Sequence, residues 1–107
     1  MHIQIINFNL KDLSEDDFLT ACDDQFAPAF AEVPGLVSKV WPADSETNMY
    51  GGVYTWRDRQ AMVEFTKSEL FNAVASHPNL ANIVSTDFGV IEGPTRVTRG
   101  LVEASVQ

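Results

Sequence analysis

Cysteine is almost absent from this sequence of 107 residues, which contains only Cys22. A single cysteine excludes an intrachain disulfide, and one cysteine with two distant histidines cannot supply a dedicated zinc site. We therefore expect no metal site. We expect Cys22 to pack as a small apolar side chain, and a chain without disulfides suits a reducing, cytoplasmic compartment.

Long apolar runs and basic residues are also scarce. The longest apolar run near the start, Ile5-Ile6, is too short for a signal peptide or a membrane span. Seven Lys and Arg against 15 Asp and Glu give a formal net charge of -8, which opposes binding to phosphate backbones and anionic membranes. We therefore expect neither a nucleic acid nor a membrane as a partner. Glycine-rich phosphate loops and nucleophile elbows are absent too.

Apolar residues are plentiful, at 45% of the chain, and the length is that of one domain. Because the composition does not change along the sequence, we treat residues 1–107 as a single domain. A domain this small leaves much of its surface exposed, so a second copy covering one face of a sheet would add burial.

Strand and helix signals alternate along the chain. Apolar and β-branched residues predict strands over residues 2–10, 36–41, 48–56 and 82–92. Ser14, Asp58 and Ser68 are predicted N-caps, the first of a helix beginning near Glu15 and the others of a second helical region. The order strand, helix, strand, strand, helix, strand is the split βαβ arrangement of ferredoxin-like α+β folds. Helices then cover one face of an antiparallel sheet, and a homodimer would cover the other in a dimeric α/β barrel.

Two prolines affect where the predicted first helix and last strand end. Pro28 interrupts the apolar stripe of the first helix and predicts a kink or an early end there. Gly93-Pro94 is expected to break the last strand, and the tail over residues 95–102 is predicted as an edge strand that pairs with a partner subunit.

One group of residues carries a family resemblance. These residues are Val33, Pro34, Gly35, Leu36, Lys39, Val40, Trp41, Gly51, Gly52, Val53, Tyr54, Trp56, Asp58 and Ala61. Their order and spacing resemble the YdhR-like family of mono-oxygenases, and the ending Phe88 to Pro94 also fits. The resemblance implies a dimeric α/β barrel.

Tyr50 departs from this pattern, because the family resemblance implies a small residue before the paired glycines. A tyrosine there would narrow or cap a pocket. The pair Gly51-Gly52 itself indicates a bulge or close backbone packing, with room for a flat ligand as the alternative.

A wider similarity, to the antibiotic-biosynthesis mono-oxygenase superfamily, rests on Trp56, Gln60-Ala61, Phe65 and Ser68 to Phe71. Some members of that superfamily oxidise quinone precursors, and others degrade haem.

The haem-degrading branch uses a strand asparagine, a helix tryptophan and a helix histidine. Asn7 matches the first of these, but Phe65 and Ala75 stand at the other two positions. His77 follows Ala75 by two residues, which turns a helix by about 200°. The similarity therefore disfavours haem degradation, and we expect no cofactor.

The candidate site combines aromatic and polar side chains. Trp41, Tyr54 and Trp56 lie on neighbouring predicted strands and are the candidate substrate-binding residues, although large aromatic residues are more often core. Asn7, inside an apolar strand, is the candidate oxyanion donor, and its alternative is a structural hydrogen bond. His77 is the candidate proton-transfer group, and its alternative is a helix cap.

Two cations lie at strand ends, Lys39 and Arg57. They could attract an anionic phenolate, but we interpret them mainly as exposed charges without a special role.

These residues suit a cofactor-independent mono-oxygenase that oxidises a small aromatic or quinol-like compound with O2. Such a substrate can lose a proton and itself pass an electron to oxygen, so the protein need only bind a flat ring, stabilise an oxyanion and exclude water. The main alternative is a non-enzymatic dimeric module that binds or sequesters the same ligand. A haem-binding or lyase or isomerase relative is a third possibility, because one fold hosts several chemistries.

Overall fold

The computed structural model describes residues 1–101, and its centre is one antiparallel sheet of five strands. The strands are β1 (His2–Leu10), β2 (Leu36–Val40), β3 (Ala43–Asp44), β4 (Met49–Trp56) and β5 (Leu80–Gly89). Their order in the sheet is β2-β4-β1-β5, and the short β3 pairs with β4. This arrangement confirms the predicted ferredoxin-like α+β fold.

The helical segments lie between these strands and after the last one. They are α1 (Glu15–Ala21), a π-helical segment (Cys22–Phe26), α2 (Ala27–Ala31), α3 (Arg59–Thr66), α4 (Glu69–Ala75) and α5 (Glu92–Val97). Within residues 1–101, none of these helices is long and apolar enough to cross a membrane.

The three predicted N-caps are confirmed. The side chains of Ser14, Asp58 and Ser68 accept hydrogen bonds from backbone N–H groups three residues later, at 3.1, 2.8 and 3.2 Å respectively. Each bond satisfies a donor that the first helical turn leaves free, so the sequence starts α1, α3 and α4 locally.

The first helical path does not end at Pro28 but continues to Ala31. Pro28 lies in the first turn of α2, directly after the π-helical segment, where its missing N–H is tolerated. A spacing of four residues drifts by about 40° in an α-helix, and the wider π turn reduces that drift. Cys22, Phe26 and Phe30 therefore stay on the side of the helix that faces the sheet.

Two predictions near the C-terminal end are wrong. The last strand spans Leu80–Gly89 rather than 82–92, and the predicted edge strand is instead helix α5 followed by a turn, with Val102 outside the described residues. Gly93-Pro94, interpreted as a break, occupies the first turn of α5. A proline is tolerated there because the first turn leaves its N–H positions unpaired.

Alternation along β1 gives the sheet two different faces. His2, Gln4, Ile6 and Phe8 are buried on the face that the helices cover, whereas the residues between them are only half-buried on the open face. Pairing extends this division to β4, because paired residues of antiparallel strands share a face.

Trp56 is the centre of the core and is 0% exposed. Its indole stacks on Tyr54, with ring centroids 5.8 Å apart and planes 4° apart, and lies 5.1 Å from the ring of Phe65. Its Nε1 donates to Oε1 of Gln4 at 3.1 Å, and Nε2 of Gln4 donates to Ser85 Oγ at 3.1 Å. The buried polar groups of this region are thus hydrogen-bonded, as burial requires.

At Gly51 the strand β4 leaves no room for a side chain against the backbone of β1, which provides a test of the register. A Cβ added there would lie 1.8 Å from the carbonyl oxygen of Ile6, and φ is 157°. We expect Gly51→Ala to lower the free energy of unfolding by about 3 kcal/mol or more in urea denaturation. Gly89→Ala, where an added Cβ meets nothing within 4 Å, should change it by about 0.5 kcal/mol or less. Equal effects of the two substitutions would contradict this register.

Candidate functional site

A cavity rich in aromatic residues lies between the sheet and the helical layer. Its empty volume is about 310 Å³, of which only about 20 Å³ admits the centre of a water molecule. It is lined by Phe8, Phe18, Phe26, Phe30, Lys39, Trp41, Gly51, Tyr54, Val74 and Leu80. The space open to water is about that of one molecule, so a larger ligand must displace side chains.

Lys39 is the one cationic side chain on this lining, and a β-bulge aims it there. Leu36 pairs with Trp56, but Ser38 pairs with Thr55 and Lys39 with Tyr54, so the register shifts between Leu36 and Ser38. Leu36 and Lys39, three residues apart, thus both face the helices, which regular alternation does not allow. The bulge redirects Lys39 from the open face into the cavity.

The amino group of Lys39 lies in a corner between aromatic rings. Its Nζ is 3.4 Å from the ring centroids of both Phe30 and Trp41, and 4.7 Å from that of Tyr54. The rings of Phe30 and Trp41 are 5.8 Å apart and nearly perpendicular, at 89°. Both present the negative face of their π-systems to the amine, which is the geometry of a cation–π contact.

Gly52 provides the space for this side chain. An added Cβ at Gly52 would lie 2.6 Å from Cε of Lys39 and 2.8 Å from Cε1 of Tyr54. The second residue of the glycine pair therefore leaves the room that the lysine stem and the tyrosine ring occupy.

Burial changes the acidity of Lys39. Desolvation lowers its pKa from 10.5 to about 7, because the charged ammonium loses contact with water. The aromatic faces act in the opposite direction, since they favour the charged form. Burial thus favours an amine that gives up its proton at a lower pH than an exposed lysine does.

Two weak acids lie near this amine, and both stay protonated at neutral pH. Burial raises the pKa of the Tyr54 phenol. Burial also raises the pKa of the Cys22 thiol, and this effect exceeds the opposing effect of the nearby charge of Lys39. Cys22 is thus the buried apolar side chain expected from the sequence.

A surface groove leads to the same amine. Phe30, Lys39 and Trp41 line both the cavity and this groove, whose other walls are Ala27, Ala31 and residues 36–38. About 260 Å³ of the groove is open to water. Lys39 therefore lines both a narrow apolar cavity and a wider groove.

The structure brings together two of the three predicted substrate-binding residues. Trp41 and Tyr54 line the cavity on either side of Lys39. Trp56 lies behind Tyr54 in the core and does not line it.

The two predicted catalytic residues lie elsewhere. Asn7 pairs with Gly51 and Val84 on β1 and faces the open side of the sheet, opposite the cavity. His77 follows α4, where its Nδ1 accepts a hydrogen bond from the backbone N–H of Asn79 at 3.1 Å. Their catalytic roles stay predictions, and the contacts of the cavity do not support them.

Sequence reasoning underestimated Lys39 and interpreted Arg57 correctly as an exposed cation. The sequence did indicate the position of Lys39, because side chains two residues apart in a strand lie on the same face and Lys39 is two residues before Trp41. A pocket that includes Trp41 should therefore have included Lys39.

Tyr50 does not cap the cavity. Its ring packs at 5.4 Å against Phe18, one of the wall residues, and its hydroxyl donates to Oε1 of Glu15 at 2.5 Å. This hydrogen bond, with burial, raises the pKa of Tyr50 to about 12, because ionising the phenol would break the bond.

Potential metal ligands do not cluster in the described part of the chain. Residues 1–101 contain no group of three or more His, Cys, Asp or Glu side chains arranged to hold an ion.

Several solved structures share this fold. A mutant of MhuD, with two manganese protoporphyrin IX bound per active site, is 19% identical, with a TM-score of 0.62 over 85% of this chain and 95% of that one. A mutant of SnoaB, a cofactor-independent oxygenase from Streptomyces nogalater, is 18% identical, with a TM-score of 0.63 over 85% and 94%. The mono-oxygenase ActVA-Orf6 of Streptomyces coelicolor, in complex with nanaomycin D, is 19% identical, with a TM-score of 0.60 over 84% and 89%. At these identities the similarity shows the fold alone.

Sequence comparison identifies the family. No curated protein matches the chain. The profile of the family described as "Putative mono-oxygenase ydhR" matches residues 3–101, which is nearly the whole sequence. The chain therefore belongs to this mono-oxygenase family.

Proposed function

We propose that this protein is a mono-oxygenase that oxidises a small phenolic or quinol-like compound with O2, without flavin, metal or haem, in the cavity around Lys39. The observation that carries the proposal is the position of the Lys39 amine among the rings of Phe30, Trp41 and Tyr54. A base with a lowered pKa in an apolar, ring-lined space is suited to taking a proton from a phenol.

Substrate binding requires the cavity to open. A flat ring can pack against Trp41 and Tyr54 once the flexible stem of Lys39 turns toward the groove, which the side chain already lines. The amine then stays within reach of the substrate hydroxyl, while the surrounding rings exclude water from the reacting atoms.

The reaction balances with Lys39 as the one protein acid and base, for a substrate whose reacting CH2 carries a single hydrogen in the phenolic tautomer. The neutral amine takes the phenolic proton, and the anion passes an electron to O2. A carbon–oxygen bond then forms at the CH carbon, and the former phenolic oxygen becomes a carbonyl oxygen. The ammonium returns its proton to the resulting peroxide. Loss of water then leaves a carbonyl group, so CH2 and O2 become C=O and H2O.

Two fold relatives fit this proposal. SnoaB is a cofactor-independent oxygenase, and ActVA-Orf6 was crystallised with nanaomycin D. A site built from rings and one amine suits a compound of the phenolic or quinone class. A protein that binds the same compound without oxidising it is the alternative function, because the cavity by itself supplies binding.

We also propose that two copies pair through the open faces of their sheets. Large apolar side chains are exposed on this face: Val40 is 63% exposed, and Val84 and Phe88 are each 57% exposed. A second copy would cover this apolar patch and close a barrel in which Asn7 lies at the interface. The buried, reduced Cys22 fits a cytoplasmic location.

Oxygen uptake with a panel of hydroxyanthrones and quinols tests the oxygenase. We expect uptake that survives metal chelation and flavin removal, and that rises between pH 6 and 9 as Lys39 loses its proton. Lys39→Met keeps most of the apolar stem but removes the amine, and should lower kcat/KM by about 100-fold or more. It should also abolish the part of the pH dependence that Lys39 causes.

Lys67→Met is the matched control, because Lys67 is exposed at the end of α3, and it should leave uptake unchanged. Ligand binding should quench Trp41 emission, so Trp41→Phe should remove the quench. Quenching without oxygen uptake by any compound of the panel would favour the binding module. Equal uptake by the wild type and Lys39→Met would remove Lys39 from the mechanism.

Light scattering at micromolar concentration tests the dimer. We expect twice the chain mass of 11.9 kDa. Val84→Asp together with Phe88→Asp places charges on the open face and should shift the mass to that of one chain, because the charges cannot be buried unpaired. A monodisperse wild-type monomer would contradict the barrel.

A further inference from the structure

The amine of Lys39 combines two features that a reactive lysine needs: an apolar surrounding and access from outside. Its Nζ contacts the faces of Phe30 and Trp41 at 3.4 Å, and the same three residues line both the narrow aromatic cavity and the wider groove. From this geometry we infer that Lys39 is a carbonyl-binding nucleophile, which forms a reversible Schiff base with small aromatic aldehydes that enter through the groove.

The lining selects the class of carbonyl compound. Ala27, Ala31 and Leu36 give the groove apolar walls, and the rings of Phe30 and Trp41 meet at the amine. An aromatic aldehyde can therefore place its ring against these side chains while its carbonyl carbon reaches Nζ. A charged sugar or a carboxylic acid gains less from the two aromatic rings, because it must give up its hydration to pack against them.

The protonation state of Lys39 supports this chemistry. Only a neutral amine attacks a carbonyl, and an exposed lysine holds roughly one neutral amine in a few thousand at pH 7. Burial lowers the pKa of Lys39 to about 7, so a far larger fraction of it is neutral there. The ionisable groups that face it, the Cys22 thiol from the π-helical segment and the Tyr54 phenol from β4, have raised pKa values and carry no charge at this pH.

The bonds formed and broken balance without a further reactant. The lone pair of Nζ attacks the carbonyl carbon and gives a carbinolamine. Both hydrogens of the amine then leave with the carbonyl oxygen as water, and a C=N bond remains. No electron is gained or lost, so the step needs no oxygen. The site is shared with the proposed oxygenation, but the two chemistries are independent and can fail separately.

Reductive trapping under anaerobic conditions tests the inference. The intact protein is incubated at pH 7 with benzaldehyde and sodium cyanoborohydride, which reduces the imine to a stable benzyl amine. Peptide mapping by mass spectrometry then gives the initial rate of benzylation at each lysine. We expect Lys39 to react at least about tenfold faster than Lys11 and Lys67, which are both exposed.

Two controls separate the site from general lysine reactivity. Unfolding in urea should abolish the preference, because it removes the burial that lowers the pKa of Lys39. Lys39→Arg keeps the charge but cannot form an imine, and it should leave only the slow labelling of the exposed lysines and the Met1 amine.

Labelling of Lys39 at or below the rate of Lys67 in the folded wild type would overturn the inference, whatever the oxygen-uptake assay shows. Because this comparison is made within one folded protein, it does not depend on the stability of any variant. Oxygen uptake without Lys39 labelling would leave the oxygenase standing and remove the nucleophile.

Discussion

The balance between removing the Lys39 amine from water and surrounding it with aromatic faces governs the protonation state of the cavity's one cationic side chain. Burial disfavours the ammonium, and the contacts at 3.4 Å with Phe30 and Trp41 favour it. Burial lowers the pKa of Lys39 to about 7, and the aromatic contacts act against this change. In water an exposed lysine stays charged at neutral pH, whereas the pKa of the buried Lys39 amine is lowered.

Two backbone irregularities and one glycine maintain this arrangement. The bulge in β2 turns Lys39 to the helix face, Gly52 leaves space for its stem, and the π-helical segment Cys22–Phe26 keeps the phenylalanines of the first helical path over the cavity. The bulge and the π-helical segment each interrupt a regular element beside the same cavity. Bulges and π turns are common next to functional sites, where they redirect side chains.

The two faces of the sheet have different roles. The helix face holds the core around Trp56 and the cavity in front of Tyr54, whereas the open face carries exposed apolar residues and Asn7. MhuD, SnoaB and ActVA-Orf6 share this fold at 18–19% identity, so the fold by itself does not define the chemistry of the cavity.

The sequence by itself determined the element order, the three N-caps and the family, because these depend on local hydrogen bonds, on short-range periodicity and on motifs such as Pro34-Gly35. It also placed Trp41 and Tyr54 in one pocket, because Trp41 directly follows β2, which pairs with the strand that carries Tyr54. Only the tertiary structure decided that Lys39 and Trp41 together face the helices and that Asn7 faces the other side of the sheet. The physical reason is register: one extra residue in β2 moves every following side chain to the other face, and long-range pairing with β4 sets where that residue is placed. The helix in place of the predicted C-terminal edge strand has a local cause, because Gly93-Pro94 is compatible with both a break and a first helical turn.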